Sequence, residues 1–119
     1  MRGIEGEQVL LRIILNESRP HDREPLFRRL LEMLREEELA GATVLKGVAG
    51  FGHGRRVRTF MIEVAALDLP IVLEVVDTPE RIDRVLPKVD ALMGDAGVVM
   101  VERAHVIRYG PNQPSSAEP

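Results

Sequence analysis

The sequence predicts one mixed α/β domain of the α+β type, in which two amphipathic helices cover one face of a small sheet. Three observations predict this class: four short aliphatic segments have the length of strands, two longer segments repeat apolar residues at helical spacing, and the two kinds alternate along the chain. A length of 119 residues with 45% hydrophobic residues supports one continuous core. We expect an N-terminal extension over residues 1–7, one domain over 8–110, and a disordered tail over 111–119.

The first half of the chain predicts a strand, a helix and a second strand. Residues 8–15 are a short aliphatic run, whose length fits a buried strand. Pro25 suits the first turn of a helix, and apolar residues recur at helical spacing over residues 26–34. Gly41 is the predicted C-terminal cap of this helix, and residues 43–48 are predicted to form the next strand.

The second half predicts further strands around a second helix. Residues 58–67 are ambiguous, because they alternate like a strand but contain alanines that suit a helix, and we expect extended structure. Residues 71–76 are aliphatic and β-branched, which is typical of a central strand. Residues 78–80 (TPE) have the order of a helix start, and Pro87 inside that helix predicts a kink costing about 3 kcal/mol. Residues 98–108 are the predicted last strand.

The resulting order of elements is strand, helix, strand, strand, helix, strand. This is the split βαβ arrangement of ferredoxin-like βαββαβ folds, in which both helices lie on one face of the sheet. That fold hosts many unrelated functions, so the function has to be argued from particular residues.

The second face of the predicted sheet is also apolar. If the odd-numbered residues of 8–15 face the helices, the even-numbered ones point to the open face, beside alternate residues of the third strand. The residues predicted there are Leu10, Arg12, Ile14, Val72, Glu74 and Val76. We expect the two strands to be parallel neighbours, with Arg12 paired to Glu74.

Exposure of this open face would be costly. Each of its four aliphatic side chains forgoes roughly 1.5–3 kcal/mol in water relative to full burial. Contiguous apolar patches of this kind usually mark an interface, so we expect a symmetric oligomer. The alternative is that the C-terminal tail, or the segment around Phe60, folds back over the face.

Composition excludes several classes of function. The absence of cysteine excludes disulfides, thiolate metal sites and thiol redox chemistry. A net charge of −3 and only three phenylalanines and one tyrosine argue against a nucleic-acid partner. The apolar runs are far shorter than a membrane span and the N-terminus does not have the pattern of a secretory signal, so we expect a cytoplasmic protein.

Residues 46–59 form a segment rich in glycine and arginine. It holds four glycines within eight residues, followed by three arginines within four. Glycine allows backbone amides to approach a ligand closely, and guanidinium groups bind phosphate or carboxylate in a bidentate manner. The segment matches neither a P-loop nor the dinucleotide fingerprint. It is either an anion site or a flexible hairpin with solvated arginines. The candidate ligand-binding residues are Gly50, Gly52, His53, Gly54, Arg55, Arg56 and Arg58.

No set of residues in the sequence points to catalysis. His21, His53 and His105 lie in three different elements without the spacing of metal ligands. No serine has the context of a nucleophile, and no pair of carboxylates stands out. We therefore expect a protein that is not an enzyme, with no metal and no resident cofactor.

Three segments carry a family resemblance. They are GVAGFGHGRRVRT (47–59), DLPIVLEVVDTPERIDRVLPKVDAL (68–92) and GVVMVERAHVIRYG (97–110). Together they resemble the PII-like family catalogued as domain of unknown function 190. The resemblance implies ferredoxin-like subunits that form trimers with their open sheet faces turned to the centre. It also implies clefts between subunits that bind adenine nucleotides beside an effector loop, whose counterpart here is residues 50–59.

What the resemblance implies is a trimeric PII-like signalling protein with an adenine nucleotide as its small anionic effector. The backbone of residues 52–54 and the arginines at 55, 56 and 58 would hold the phosphates. The loop is shorter than the classical one and lacks its uridylylated tyrosine pattern, so that modification is not expected. A membrane transporter or a regulatory protein is the implied partner. Two alternatives remain: a divalent-metal-responsive trimer of the copper-tolerance type, with His53 as a ligand, and a pure protein-interaction module.

Overall fold

The structure, a computed structural model, describes residues 4–16, 24–51, 58–59 and 69–110. These contain two helices and a main sheet of four strands in the order β2-β5-β1-β6, together with a two-stranded ribbon, β3-β4. The elements are β1 (Gly6–Asn16), α1 (Leu26–Glu36), β2 (Thr43–Lys46), β3 (Ala49–Gly50), β4 (Arg58–Thr59), β5 (Pro70–Asp77), α2 (Pro79–Met93) and β6 (Val98–Val106). The four strands of the main sheet and the two helices follow the predicted ferredoxin-like βαββαβ order.

Every neighbouring pair of strands in the main sheet is antiparallel. The expectation that the first and third strands, β1 and β5, run parallel is therefore wrong. The crossover through α1 returns the chain so that β2 runs in the same direction as β1. The chain then reverses before β5, which lies between β2 and β1 and is antiparallel to both. The expected pairing of Arg12 with Glu74 is confirmed because these two residues are direct partners in the observed register.

The core lies between the main sheet and the two helices. Alternate residues of β1 and β5 are buried against the helices, as the period of two predicts. The helices contribute buried residues at helical spacing from one side of each. The side chains with no measurable exposure include Leu11, Ile13, Leu30, Leu73, Val85 and Val89. Neither described helix is long and apolar enough to cross a lipid bilayer.

Helix α1 ends before the predicted cap, Gly41. The amide of Leu39 donates to the carbonyl of Leu34 at 3.2 Å, and that of Glu38 donates to Arg35 at 3.0 Å. Glu38 has a φ of 64°, in the left-handed region. These bonds are those of a Schellman motif, and Leu39 packs against the core as the motif's apolar contact. The prediction that Gly41 caps the helix is wrong, because the packing of Leu39 against the core makes the chain turn earlier, at Glu38.

Helix α2 begins as the sequence predicts. Thr78 is the N-cap, its hydroxyl accepts the amide hydrogen of Arg81 at 3.2 Å, and Pro79 is the first helical residue. Pro87 lies inside the helix on its exposed side, and the kink expected there stays a prediction. The helix ends at Gly94, whose φ is 61°.

The ends of several strands differ from their predicted positions. β1 begins at Gly6, two residues earlier than expected, and β6 ends at Val106 instead of residue 108. β2 ends at Lys46, and the chain continues into the separate ribbon. Extended structure is confirmed for residues 58–59 of the predicted segment 58–67. Residues 60–67 of that segment, residues 1–3 of the predicted N-terminal extension and the predicted tail, 111–119, lie outside the described residues.

Candidate functional site

The glycine- and arginine-rich segment is described only at its two ends. Gly50 in β3 and Arg58 in β4 are register partners in the ribbon, so the structure brings these two predicted site residues together. The other predicted ligand-binding residues lie outside the described part of the chain, and their roles stay predictions. They are Gly52, His53, Gly54, Arg55 and Arg56.

The ribbon is attached to the main sheet through a close backbone contact. The amide of Gly47 donates to the carbonyl of Pro70 at 2.7 Å. A Cβ atom at Gly47 would lie 2.6 Å from the Cγ atom of Pro70, so the contact requires glycine. Beyond it, Val48 and Phe51 are exposed at 74% and 66%. The segment therefore leaves the sheet in a defined direction and presents apolar side chains at its base.

The open face of the main sheet is apolar, as predicted, and its apolar surface includes more residues than the sequence predicts. The predicted aliphatic residues on β1 and β5 are all half-buried. β6 adds Val98 and Met100, which pair with Ile14 and Arg12 in the register and are exposed at 52% and 36%. Because direct partners share a face, these side chains extend the same apolar surface.

At the centre of the open face, three charged side chains form one cluster, the Arg12–Glu74–Glu102 triad. Arg12 Nε donates to Glu74 Oε2 at 2.9 Å, and Arg12 Nη1 donates to Glu102 Oε1 at 2.8 Å. Both hydrogen bonds raise the pKa of Arg12 above its ordinary value, and the bond to Glu74 makes the larger contribution. With one cation and two ionised carboxylates the triad carries a net charge of −1. Glu102 was missed in the sequence analysis, although alternation along residues 98–108 places it on the same face as Met100.

A cleft of about 460 Å³ opens at one end of the same face. Its apolar walls include Ile4, Leu10 and Val76. Its polar groups are the side chains of Thr43, Glu74 and Tyr109, and the turn over residues 40–42 closes one side. No sequence motif marked this cleft, because its walls come from both ends of the chain and from the turn before β2.

The cleft and the ribbon lie at opposite ends of β2. Thr43 begins the strand and lines the cleft, while Lys46 ends it and precedes the ribbon. Three residues of extended chain separate these positions by about 10 Å. Within a single chain, the cleft and the ribbon are therefore separate and do not form one site.

The turn beside the cleft is held by a buried carboxylate. Asp77 is fully buried, and its Oδ2 accepts the amide hydrogen of Ala40 at 2.7 Å. Its Oδ1 accepts the amide hydrogen of Thr78 at 2.7 Å and lies 3.3 Å from Arg81 Nη1. These bonds join the α1–β2 turn to the start of α2, so this wall of the cleft is anchored to the core.

Within the described ranges, no group of three or more histidine, aspartate or glutamate side chains is arranged to hold a metal ion. His105 Nδ1 lies 2.6 Å from Glu7 Oε2 on the face of β1 and β6 that is opposite the triad. His53, the ligand of the metal alternative, is outside the described residues. The described residues therefore do not test that alternative.

The antiparallel βαββαβ sheet, with two helices on one face and an apolar second face, defines a ferredoxin-like chain. Its residues 8–106 match the model of the DUF190 family, described as Uncharacterized ACR, COG1993. The chain belongs to this family. It is 34% identical over 99 residues to the UPF0166 protein MJ1524 of Methanocaldococcus jannaschii, covering 83% of this chain and 91% of the relative. It is 33% identical over 101 residues to a UPF0166 protein of Aquifex aeolicus, covering 85% and 94%.

Two solved structures share the fold at low sequence identity. CPII from Thiomonas intermedia K12, a nitrogen regulatory PII-like protein solved with ADP, AMP and bicarbonate, has a TM-score of 0.66 at 18% identity and covers 86% of this chain and 90% of its own. The divalent cation tolerance protein Cut A1 from Thermus thermophilus has a TM-score of 0.55 at 19% identity, covering 87% of each chain. These likenesses confirm the predicted ferredoxin-like fold.

Proposed function

We propose that this protein is a trimeric PII-like signalling protein that binds an adenine nucleotide at clefts between subunits, beside the glycine- and arginine-rich loop. The observation that carries the proposal is the open face, which is apolar and contains the described cleft. The ligands of CPII, ADP and AMP, support the choice of an adenine nucleotide as the effector.

Assembly through the open face would bury side chains that one chain leaves in water. Leu45, Val98 and Met100 are exposed at 49%, 52% and 36%, and the aliphatic residues of β1 and β5 lie beside them. Full burial of each large aliphatic side chain is worth roughly 1.5–3 kcal/mol. The cleft opens on this face, so a neighbouring subunit would supply its outer wall.

The chemistry of the cleft suits a nucleobase. Apolar walls favour a flat aromatic ring, while the hydroxyl groups of Thr43 and Tyr109 can donate or accept hydrogen bonds and the carboxylate of Glu74 accepts them. A carboxylate is an acceptor for the exocyclic amine of adenine. Because the loop and the cleft of one chain lie at opposite ends of β2, the phosphates would be held by the loop of a neighbouring subunit. The backbone of residues 52–54 and the arginines at 55, 56 and 58 would bind them, since guanidinium groups bind phosphate in a bidentate manner.

In this proposal the protein is not an enzyme. Binding of the nucleotide would act on a partner protein through the glycine- and arginine-rich loop. Bound phosphates would order the loop, which would then contact a membrane transporter or a regulatory protein in the cytoplasm. The exposed Val48 and Phe51 at the base of the ribbon support a contact with another polypeptide there.

Calorimetry with ATP, ADP, AMP and cyclic AMP tests the nucleotide proposal. We expect saturable heat with at least one of them, and a loss of affinity of at least about tenfold when Arg55→Ala and Arg56→Ala are combined. The matched control is the other arginine doublet, Arg28→Ala with Arg29→Ala on α1, which should leave the affinity unchanged. Absence of heat with all four nucleotides contradicts the proposal. Loss of the trimer in the Arg55/Arg56 variant, with no nucleotide effect, favours a pure interaction module.

The likeness to Cut A1 supports a second candidate, a trimer that responds to divalent metal ions. Its predicted ligand is His53, together with acidic residues at subunit edges. Metal analysis of the purified protein tests this candidate, since His53→Ala should release bound metal. His105→Ala is the matched control, because His105 lies on a strand of the main sheet and pairs with Glu7.

A further inference from the structure

We propose that the Arg12–Glu74–Glu102 triad is a contact between copies of this chain, in which Arg12 of one copy donates to a glutamate of the next. This inference rests on the proposed assembly through the open face and adds the residues that specify it. The sequence-based prediction concerned only the pair Arg12 and Glu74 within one chain.

The triad has unused hydrogen-bonding capacity on the side that faces away from the core. Within the triad, Arg12 donates through Nε and Nη1, and each glutamate accepts with one carboxylate oxygen. Arg12 Nη2, Glu74 Oε1 and Glu102 Oε2 have no hydrogen bond to another described residue. The side chains of Arg12, Glu74 and Glu102 are exposed at 29%, 32% and 54%. A donor and two acceptors are therefore available to a partner.

A second copy of the same chain is the occupant that fits this pattern. Charged groups covered by an apolar partner would lose hydration without gaining partners, which is unfavourable. A copy of this face brings one guanidinium for the two free carboxylate oxygens and a carboxylate for the free guanidinium nitrogen. In a closed three-fold ring each contact joins one side of this face to another side of the same face on the next copy, so Arg12 of one copy can meet a carboxylate of its neighbour.

The net charge of the triad affects the strength of the contact between copies. Each copy brings a net charge of −1, because one arginine serves two glutamates. Among the described residues of the main sheet, the register places no other charged side chain on this face. The uncharged side chains there include Thr43 and Leu45 on β2, Gln8, Asn16 and the aliphatic residues of β1 and β5, and Val98, Met100, Ala104 and Val106 on β6. The excess carboxylate therefore remains uncompensated and should weaken association.

The test compares the solution masses of charge variants by light scattering and ultracentrifugation, with circular dichroism as the check on folding. Arg12→Glu makes all three charges negative and should give a monomer. Glu74→Lys combined with Glu102→Lys makes all three positive and should also give a monomer. A mixture of the two variants should associate more strongly than either variant alone, because two of the three contacts in a mixed trimer join opposite charges. The matched control is Arg103→Glu, which lies one residue from Glu102 on the opposite face of β6 and should leave the mass unchanged.

A neutral variant gives a second, independent measurement. Glu102→Gln keeps an acceptor for Arg12 and removes the excess charge, so association should be tighter by on the order of tenfold. If Arg12→Glu does not fold, this change in the association constant decides the question, and an unchanged constant overturns the inference. An oligomer of wild-type mass from folded Arg12→Glu also overturns it, while leaving the proposed trimer intact. A monomeric wild-type protein overturns both.

Discussion

The carboxylate of Asp77 accepts the amide hydrogen of Ala40 at 2.7 Å, although the two residues are 37 positions apart. This bond joins the turn that walls the cleft to the turn that starts α2. The cleft therefore depends on a group that the core buries completely. A change at Asp77 should affect both the stability of the fold and the shape of the cleft.

Asp77→Ala should lower the free energy of unfolding by about 3 kcal/mol, because it leaves the partly buried amides of Ala40 and Thr78, and Arg81, without their buried acceptor. Chemical denaturation monitored by circular dichroism measures this change. The control is Asp83→Ala on the exposed side of α2, where we expect a change within about 0.5 kcal/mol. Equal effects of the two substitutions would show that the buried hydrogen bonds of Asp77 do not stabilise the fold.

Gly97→Ala should be much more destabilising than Gly94→Ala. Both glycines have positive φ, 66° and 61°, so alanine adds backbone strain at either position. At Gly97 the new Cβ would also lie 2.4 Å from the carbonyl oxygen of Ile14 and 2.7 Å from Met93 Cε, whereas nothing lies within 4 Å at Gly94. We expect losses of about 1 kcal/mol at Gly94 and about 3 kcal/mol at Gly97. Thermal and denaturant unfolding measure both, and similar losses would contradict the close approach to β1.

Glu38→Gly should stabilise the protein by about 0.5–1 kcal/mol. Glu38 occupies the left-handed position of the Schellman motif, which glycine adopts without steric cost. The gain is limited because glycine also increases the conformational entropy of the unfolded chain. Glu38→Ala is the control, since alanine at this position keeps the strain and should give no gain. A loss of stability in Glu38→Gly would contradict the assignment of this residue as the turn of the chain.

Lys88→Met should raise the pKa of Glu37. Lys88 Nζ lies 2.8 Å from Glu37 Oε2, and this hydrogen bond is the main cause that lowers the pKa of Glu37 below its ordinary value of 4.5, with a smaller contribution from Arg84. A lowered pKa in the folded state means that the contact stabilises the protein above about pH 4.5 and that this contribution is lost as the pH falls. Titration of the Glu37 carboxyl carbon by NMR measures the change.

Lys88→Arg, which keeps the cation, should leave the pKa of Glu37 low. The acid-induced decrease in melting temperature should be smaller in Lys88→Met than in the wild-type protein. A titration curve of Glu37 that is the same in all three proteins would show that the contact does not persist in solution.

Short-range patterns in the sequence were enough to predict most elements of this fold. The β-branched run 71–76 predicted β5 to within one residue at each end, and Thr78 followed by Pro79 predicted the start of α2. The alternation along β1 predicted which side chains face the helices and that the second face is apolar. These features depend on neighbours a few residues apart, so a single sequence contains the information they need.

The candidate site was less predictable, because its parts come from distant positions. Arg12 and Glu74 are 62 residues apart, and Arg12 and Glu102 are 90 apart. The first pair was predicted from alternation even though the strand direction was wrong, since partners share a face in either direction. Glu102 was missed because nothing local shows that β6 lies beside β1.

The sequence by itself determined the order of helices and strands and the apolar character of both faces of the sheet, because periodicity and capping act over short distances. Only the tertiary structure decided that all four strands are antiparallel, that the chain turns at Glu38, and that Glu102 completes the triad. It also decided the position of the cleft, between Ile4, Thr43 and Tyr109. These outcomes depend on which distant segments pack together, and the packing free energy of the whole core sets that choice.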